Sequence, residues 1–93
     1  MEQVYCDRCG ATWSSPSALA PAIGQEVAML IRRGDAISAI RRLRESAGLG
    51  LRDAKAVELH ITREPGKCQR CGAALESSGV VACSRCRSLN YDW

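Results

Sequence analysis

Between residues 22 and 62 the apolar positions recur with a helical period. Ile23, Val27, Leu30 and Ile31 fall on one stripe, with Gln25, Glu26, Arg32 and Arg33 outside it, which predicts a helix over 22–33. Pro21 suits the first turn of that helix, where its missing N–H costs nothing. Gly34 ends it and Asp35 can cap the next. In that second helix, 36–47, Ile37, Ile40, Leu43 and Ala47 lie near one face, and Arg41, Arg42, Arg44 and Glu45 crowd the other. Gly48-Leu49-Gly50-Leu51 reads as a tight turn with two apolar plugs. Asp53 then stands in the first turn of a third helix, where a negative charge meets the helix dipole. Ala54, Val57 and Ile61 give that helix its apolar side, and Pro65-Gly66 ends it near His60-Ile61-Thr62. Ile61 and Thr62 can instead begin a strand.

Outside this middle the period shortens. Val4-Tyr5 and Thr12-Trp13 are strand formers flanking a cysteine pair. Residues 14–21, Ser-Ser-Pro-Ser-Ala-Leu-Ala-Pro, have the composition of a linker. Farther on, Ala73-Ala74-Leu75, a polar turn Glu76-Ser77-Ser78-Gly79, and Val80-Val81-Ala82 read as a β-hairpin. The expected class is small α+β. Its parts are an N-terminal knuckle and linker over 1–20, a helical segment over 21–62, and a C-terminal hairpin unit over 63–93.

Composition limits the core. The chain has 93 residues, no Phe, and four aromatics, Tyr5, Trp13, Tyr91 and Trp93. All four lie in the cysteine-bearing ends, which suggests that the ends share one aromatic cluster. No apolar run approaches the roughly 20 residues of a membrane span. The net charge of +3 is too small to argue for nucleic acid by itself. Met1-Glu2-Gln3-Val4-Tyr5 is acidic and a cysteine follows at once, so nothing resembles a secretory signal, and a cytoplasmic setting is expected.

The six cysteines change the picture most. Cys68-Gln-Arg-Cys71 and Cys83-Ser-Arg-Cys86 are CxxC pairs separated by eleven residues, Gly72 to Ala82. Each pair can turn a loop that aims both sulfurs at one ion, and together they supply a closed tetrahedral site. In a reducing compartment such pairs point to metal rather than to disulfides. This segment resembles a zinc ribbon, which implies one structural zinc held by Cys68, Cys71, Cys83 and Cys86. A segment this short buries too little apolar area to fold alone.

Cys6-Asp-Arg-Cys9-Gly10-Ala11 repeats the pattern of Cys68-Gln-Arg-Cys71-Gly72-Ala73, a second knuckle by shape. No fourth CxxC completes a second site, and four arrangements stay open. The pair can recruit His60 and a carboxylate such as Asp7 or Glu64, making a second zinc site. It can meet its symmetry mate in a homodimer. It can replace one C-terminal pair around a single ion. It can hold no metal. A lone His at a helix end also serves as a cap or a surface residue.

The string from Ala36 to Lys55, and above all Gly48-Leu49-Gly50-Leu51-Arg52-Asp53-Ala54-Lys55, resembles the helix–turn–helix of the C-terminal domain of the bacterial ribosomal stalk protein. Elongation factor Ts carries a looser version. The match covers about a quarter of the chain and implies a helical hairpin. In the stalk family this hairpin docks translational GTPases, through positions corresponding to Ile37, Ser38, Ile40, Arg41, Arg44 and Lys55. The stalk domain has strands on both sides of the hairpin; here a helix precedes it and the ribbon follows.

Three function classes result. The first is a non-enzymatic module that presents the hairpin to a protein partner in a bacterial-type cell. The second is a nucleic-acid-binding ribbon serving transcription or translation, with Lys67, Arg70, Arg85 and Arg87 around the knuckles and Tyr91 and Trp93 available to stack on bases. The third is thiol redox chemistry at Cys6 and Cys9, which would want a helix N-terminus that Ser14 to Pro16 do not start. Hydrolase and phosphate-loop chemistry fail on inventory: one His, no nucleophile elbow and no glycine-rich phosphate loop.

Overall fold

The computed structural model of the chain describes residues 2–16 and 19–93. Three helices stand between two antiparallel strand pairs: β1 (Glu2–Tyr5), β2 (Thr12–Ser15), α1 (Pro21–Arg32), α2 (Ala36–Ala47), α3 (Leu51–Leu59), β3 (Gly79–Ala82) and β4 (Leu89–Asp92). The fold is thus small α+β. No helix among the described residues is long and apolar enough to cross a membrane.

The helices follow their punctuation. Pro21 opens α1 at its first position. Asp35 caps α2 by accepting from Ser38 N at 3.2 Å, and the Ser38 hydroxyl together with that N–H holds its carboxyl below the usual range. Gly48 ends α2 in the left-handed region, φ 68°, where glycine carries no Cβ penalty. Asp53 lies in the first turn of α3 and also accepts from Ser14 N at 3.4 Å, tying β2 to the helix.

Two expectations for this region need correction. Only Leu49 plugs the α2–α3 turn; Leu51 is 53% exposed, because it opens α3 on the outer side. Ile37 belongs to the apolar face of α2 by period, yet it is 75% exposed; Ala39 and Leu43 are the fully buried residues of that helix.

Each strand pair closes over a cysteine knuckle. The β1–β2 register sets Tyr5 opposite Thr12, with Cys6–Ala11 as the connecting turn, and β3–β4 sets Ala82 opposite Leu89 across Cys83–Ser88. The hairpin expected between Ala73–Leu75 and Val80–Ala82 is therefore replaced. Val80–Ala82 pairs with the tail, and Ala74 bridges to Lys67 across the middle knuckle. The knuckle itself is a tight reversal with fixed hydrogen bonds, so strands form directly on its two sides. Of the linker, Ser14 and Ser15 belong to β2, and Ser17 and Ala18 lie outside the described residues.

One core crosses all three parts. Trp13, Val27, Leu43, Val57, Ile61, Tyr91 and Cys6 are members of the same buried cluster. Trp13 Nε1 donates to Tyr91 Oη at 2.9 Å, and Ser15 Oγ shares a 2.8 Å hydrogen bond with the same oxygen. The ends do share aromatics, with Tyr5 left out at the surface. Trp93 lies on α1, where Gly24 makes room for it: a Cβ there would stand 3.2 Å from the indole. Arg32 fastens the end of α1 to the chain after α3. Its guanidinium donates to Thr62 O, Thr62 Oγ1 and Trp93 O at 3.2, 2.9 and 3.2 Å. Ile61 makes a single parallel bridge to Tyr91, so the strand expected at Ile61–Thr62 is reduced to that one contact.

Candidate metal centres

Three knuckles share one backbone construction. The N–H of the first cysteine donates five residues ahead, and the residue four ahead donates back to the first cysteine's carbonyl. The pairs are Cys6 with Ala11 and Gly10, Cys68 with Ala73 and Gly72, and Cys83 with Ser88 and Arg87, at 2.8–3.0 Å. The residue four ahead has positive φ each time: Gly10 74°, Gly72 77° and Arg87 68°. The third knuckle thus places an arginine in a region that favours glycine. The third copy lacks the glycine of the CxxC-Gly-Ala repeat, and the CxRC spacing is what all three share.

Cys68, Cys71, Cys83 and Cys86 come together, with ligand atoms within 4.8 Å of one another. Cys68 Sγ lies 3.6 Å from Cys86 Sγ, and Cys71 Sγ lies 3.6 Å from Cys83 Sγ. All six cysteines are free thiols rather than disulfides. A tetrahedral ion with metal–sulfur bonds of about 2.3 Å sets its sulfurs about 3.8 Å apart, so the spacing fits a metal cluster. The surroundings suit thiolates. Arg70 N donates to Cys68 Sγ at 3.4 Å and Asn90 Nδ2 donates to it at 3.5 Å. Burial pushes the Cys68 thiol up, but these donors and the Cys71 N–H outweigh it and bring it down to about 6. Cys86 is pushed up to about 12 by burial and by the neighbouring sulfurs, since unscreened thiolates repel. Without an ion, this cluster therefore keeps some of its protons.

The second group joins Cys6, Cys9 and His60. Cys9 Sγ lies 3.6 Å from His60 Nε2. His60 follows α3 directly, and its Nδ1 lies 2.7 Å from the carbonyl of Ala56, one turn earlier. A carbonyl can only accept, so Nδ1 carries the proton and Nε2 turns its lone pair toward the sulfur. Trp13 covers the imidazole at 4.4 Å between ring centroids. Burial raises the Cys6 thiol, but N–H donors, led by Leu89 at 3.4 Å, bring it down to about 6.

Of the four arrangements open for the first pair, His60 is thus present without a carboxylate. Asp7 pairs with Arg87 at 3.5 Å and Glu64 with Lys67 at 3.3 Å, and no carboxylate among the described residues joins the group. The C-terminal pairs gather with each other, so the first pair replaces neither. Residues 88–90 run between the two groups. Leu89 N faces Cys6, while Asn90 serves Cys68 and accepts from Gln69 N at 2.8 Å. Sequence reasoning passed over Asn90, which is fully buried with both ends of its amide engaged.

The hairpin residues divide. Ile37, Ile40, Arg41 and Arg44 line one groove of about 620 Å³, with Glu45, Gly48, Leu49 and Leu51, whereas Ser38 and Lys55 stand outside that lining. The aromatic stacking platform expected at the tail is not available: Tyr91 has no exposed surface and Trp93 rests on Gly24. Comparisons with protein-family models, with curated proteins and with solved structures return no match for the chain.

Proposed function

We propose that this protein is a small, non-enzymatic interaction module, in which a zinc ribbon stabilises the fold and the α2–α3 hairpin meets a protein partner. Cys68, Cys71, Cys83 and Cys86 would hold the zinc. Four thiolates leave no open position, so the ion supplies folding energy, roughly 10–16 kcal/mol, rather than chemistry.

The observation that carries the docking reading is the exposure of Ile37 and Leu51 at the groove between α2 and α3. Apolar area left in water forfeits about 25 cal/mol per Å², and these two side chains share one groove, where a partner could cover both. Arg41 and Arg44 flank them and form no ion pair among the described residues. Such a groove fits an amphipathic segment with apolar anchors and acidic neighbours. The resemblance to the stalk protein makes translational GTPases the first partner class to try.

The test is an NMR titration of the zinc-loaded full chain with a purified translational GTPase and with acidic amphipathic peptides. Shifts should centre on Ile37, Ile40, Arg41, Arg44 and Leu51. A folded Ile37→Ala/Arg41→Ala/Arg44→Ala variant should bind at least about tenfold more weakly, equivalent to 1.4 kcal/mol. Unchanged affinity would remove the hairpin from the account.

A further inference from the structure

We infer that Cys6, Cys9 and His60 form a second metal site whose fourth coordination position is open to an exchangeable ligand from solution. The donors come from two segments far apart in sequence, the knuckle between β1 and β2 and the end of α3, and they converge within 4.8 Å. Metal–sulfur and metal–nitrogen bonds of about 2.3 and 2.0–2.1 Å at a tetrahedral angle separate S from N by about 3.6 Å. The Cys9–His60 separation is 3.6 Å.

The supporting groups are those a metal ligand needs. The bond from Nδ1–H to Ala56 O selects the tautomer that leaves Nε2 free, the orienting contact typical of zinc-bound imidazole. Trp13 covers the ring at 4.4 Å between centroids, tilted by 32°. Leu89 N donates to Cys6 Sγ, as Arg70 N does to Cys68 in the other cluster. The bond to Ala56 O also caps the C-terminal end of α3; a cap alone does not require Nε2 to lie 3.6 Å from Cys9 Sγ.

The site is one donor short. Tetrahedral zinc takes four ligands, and sites with three protein ligands keep the fourth for water or an exogenous group. The nearby Asp7, Glu58 and Glu64 are engaged with Arg87, Arg63 and Lys67. Ser88 Oγ comes within 3.9 Å of Cys6 Sγ but accepts from Gln69 Nε2 at 2.9 Å and faces the buried side. Cys9 is exposed, so the ion can be reached from its side. The ligand class that fits is a compact single donor: water or hydroxide, displaceable by a small thiol or an imidazole. With one protein ligand fewer, this site should also give up its metal first.

Cobalt(II) replacing zinc in the full chain tests this, because its visible spectrum reports ligand type and number. The expected result is two equivalents per monomer, one for each group of donors. Adding imidazole or 2-mercaptoethanol should shift the bands of one equivalent and leave the other unmoved. Cys9→Ser, a change at the exposed ligand, should abolish the responsive equivalent and spare the four-sulfur spectrum. His60→Gln should do the same, and wild-type titration alone decides if either variant does not fold. Uptake of a single equivalent would overturn the inference. So would two equivalents that both ignore added ligand, or a metal-linked dimer in which a second chain fills the fourth position.

Discussion

The two sulfur clusters start from the same knuckle and end differently. Cys68–Cys71 meets another knuckle, and one stretch of chain gathers four sulfurs within 4.8 Å of one another. Cys6–Cys9 meets a single imidazole 51 residues away, at the end of α3. The first closure joins donors no more than 18 residues apart. The second exists only when α3 has docked on β2, since Trp13 and Asp53 set that contact. The first cluster therefore belongs to the C-terminal unit, whereas the second reports the assembly of the whole molecule.

The comparison is broken most directly by removing ligands. If the four-sulfur group holds the proposed zinc, Cys68→Ser should cost the C-terminal unit most of the roughly 10–16 kcal/mol that such an ion would supply, and β3–β4 should lose amide dispersion in NMR spectra. Cys9→Ser should leave those resonances and the helices in place and disturb only β1–β2 and the end of α3. Equal collapse in both variants would mean that the clusters are not separable.

Tyr91→Phe sharpens the contrast from the other side. It leaves every sulfur alone but deprives Trp13 Nε1 and Ser15 Oγ of their partner. A buried donor without its acceptor costs about 1–3 kcal/mol, to be read from denaturant midpoints of the metal-loaded protein. The loss should appear in the β1–β2 contact with the core while the four-sulfur cobalt spectrum stays unchanged.

Acid should treat the clusters alike. Cys6 and Cys68 sit at about 6, below the ordinary thiol value of 9.0. A lowered thiol favours the charged form in the folded state, so its contribution is complete above the ordinary value and is lost as pH falls through about 6. Thiolate absorbance of the metal-free protein should disappear over that interval. Loss of that absorbance already near the ordinary thiol value would contradict the sign. A chelator at neutral pH should instead separate them, emptying the three-donor group first.

The smallest stability effect is expected in the groove. Ile37→Ala and Leu51→Ala remove exposed side chains, so the unfolding midpoint should move by no more than about 0.5 kcal/mol equivalent. Partner affinity should fall all the same. A large loss of stability would show that these residues pack in solution and that the groove is not a docking face.

Much of the local structure was legible in the chain. The three helices follow from the 3.6-residue stripe, Pro21, Asp35 and the positive-φ Gly48, and the structure sets them within a residue or two of their expected bounds. Ile37 shows the limit of periodicity. It shares its stripe with Leu43, but only a partner surface decides which end of a stripe is covered, and α1 and α3 reach Leu43 and not Ile37.

What the sequence determined by itself are structures closed within a few residues: knuckles, caps and helical turns, whose hydrogen bonds join near neighbours. The tertiary structure decided which distant groups meet. It gave Val80–Ala82 to β4, gave the first knuckle to His60, and buried Asn90 between two sulfur clusters. The reason is the same in each case. Many residues could offer a lone pair or a strand edge, and only the packed core around Trp13 and Tyr91 brings one particular set within bonding distance.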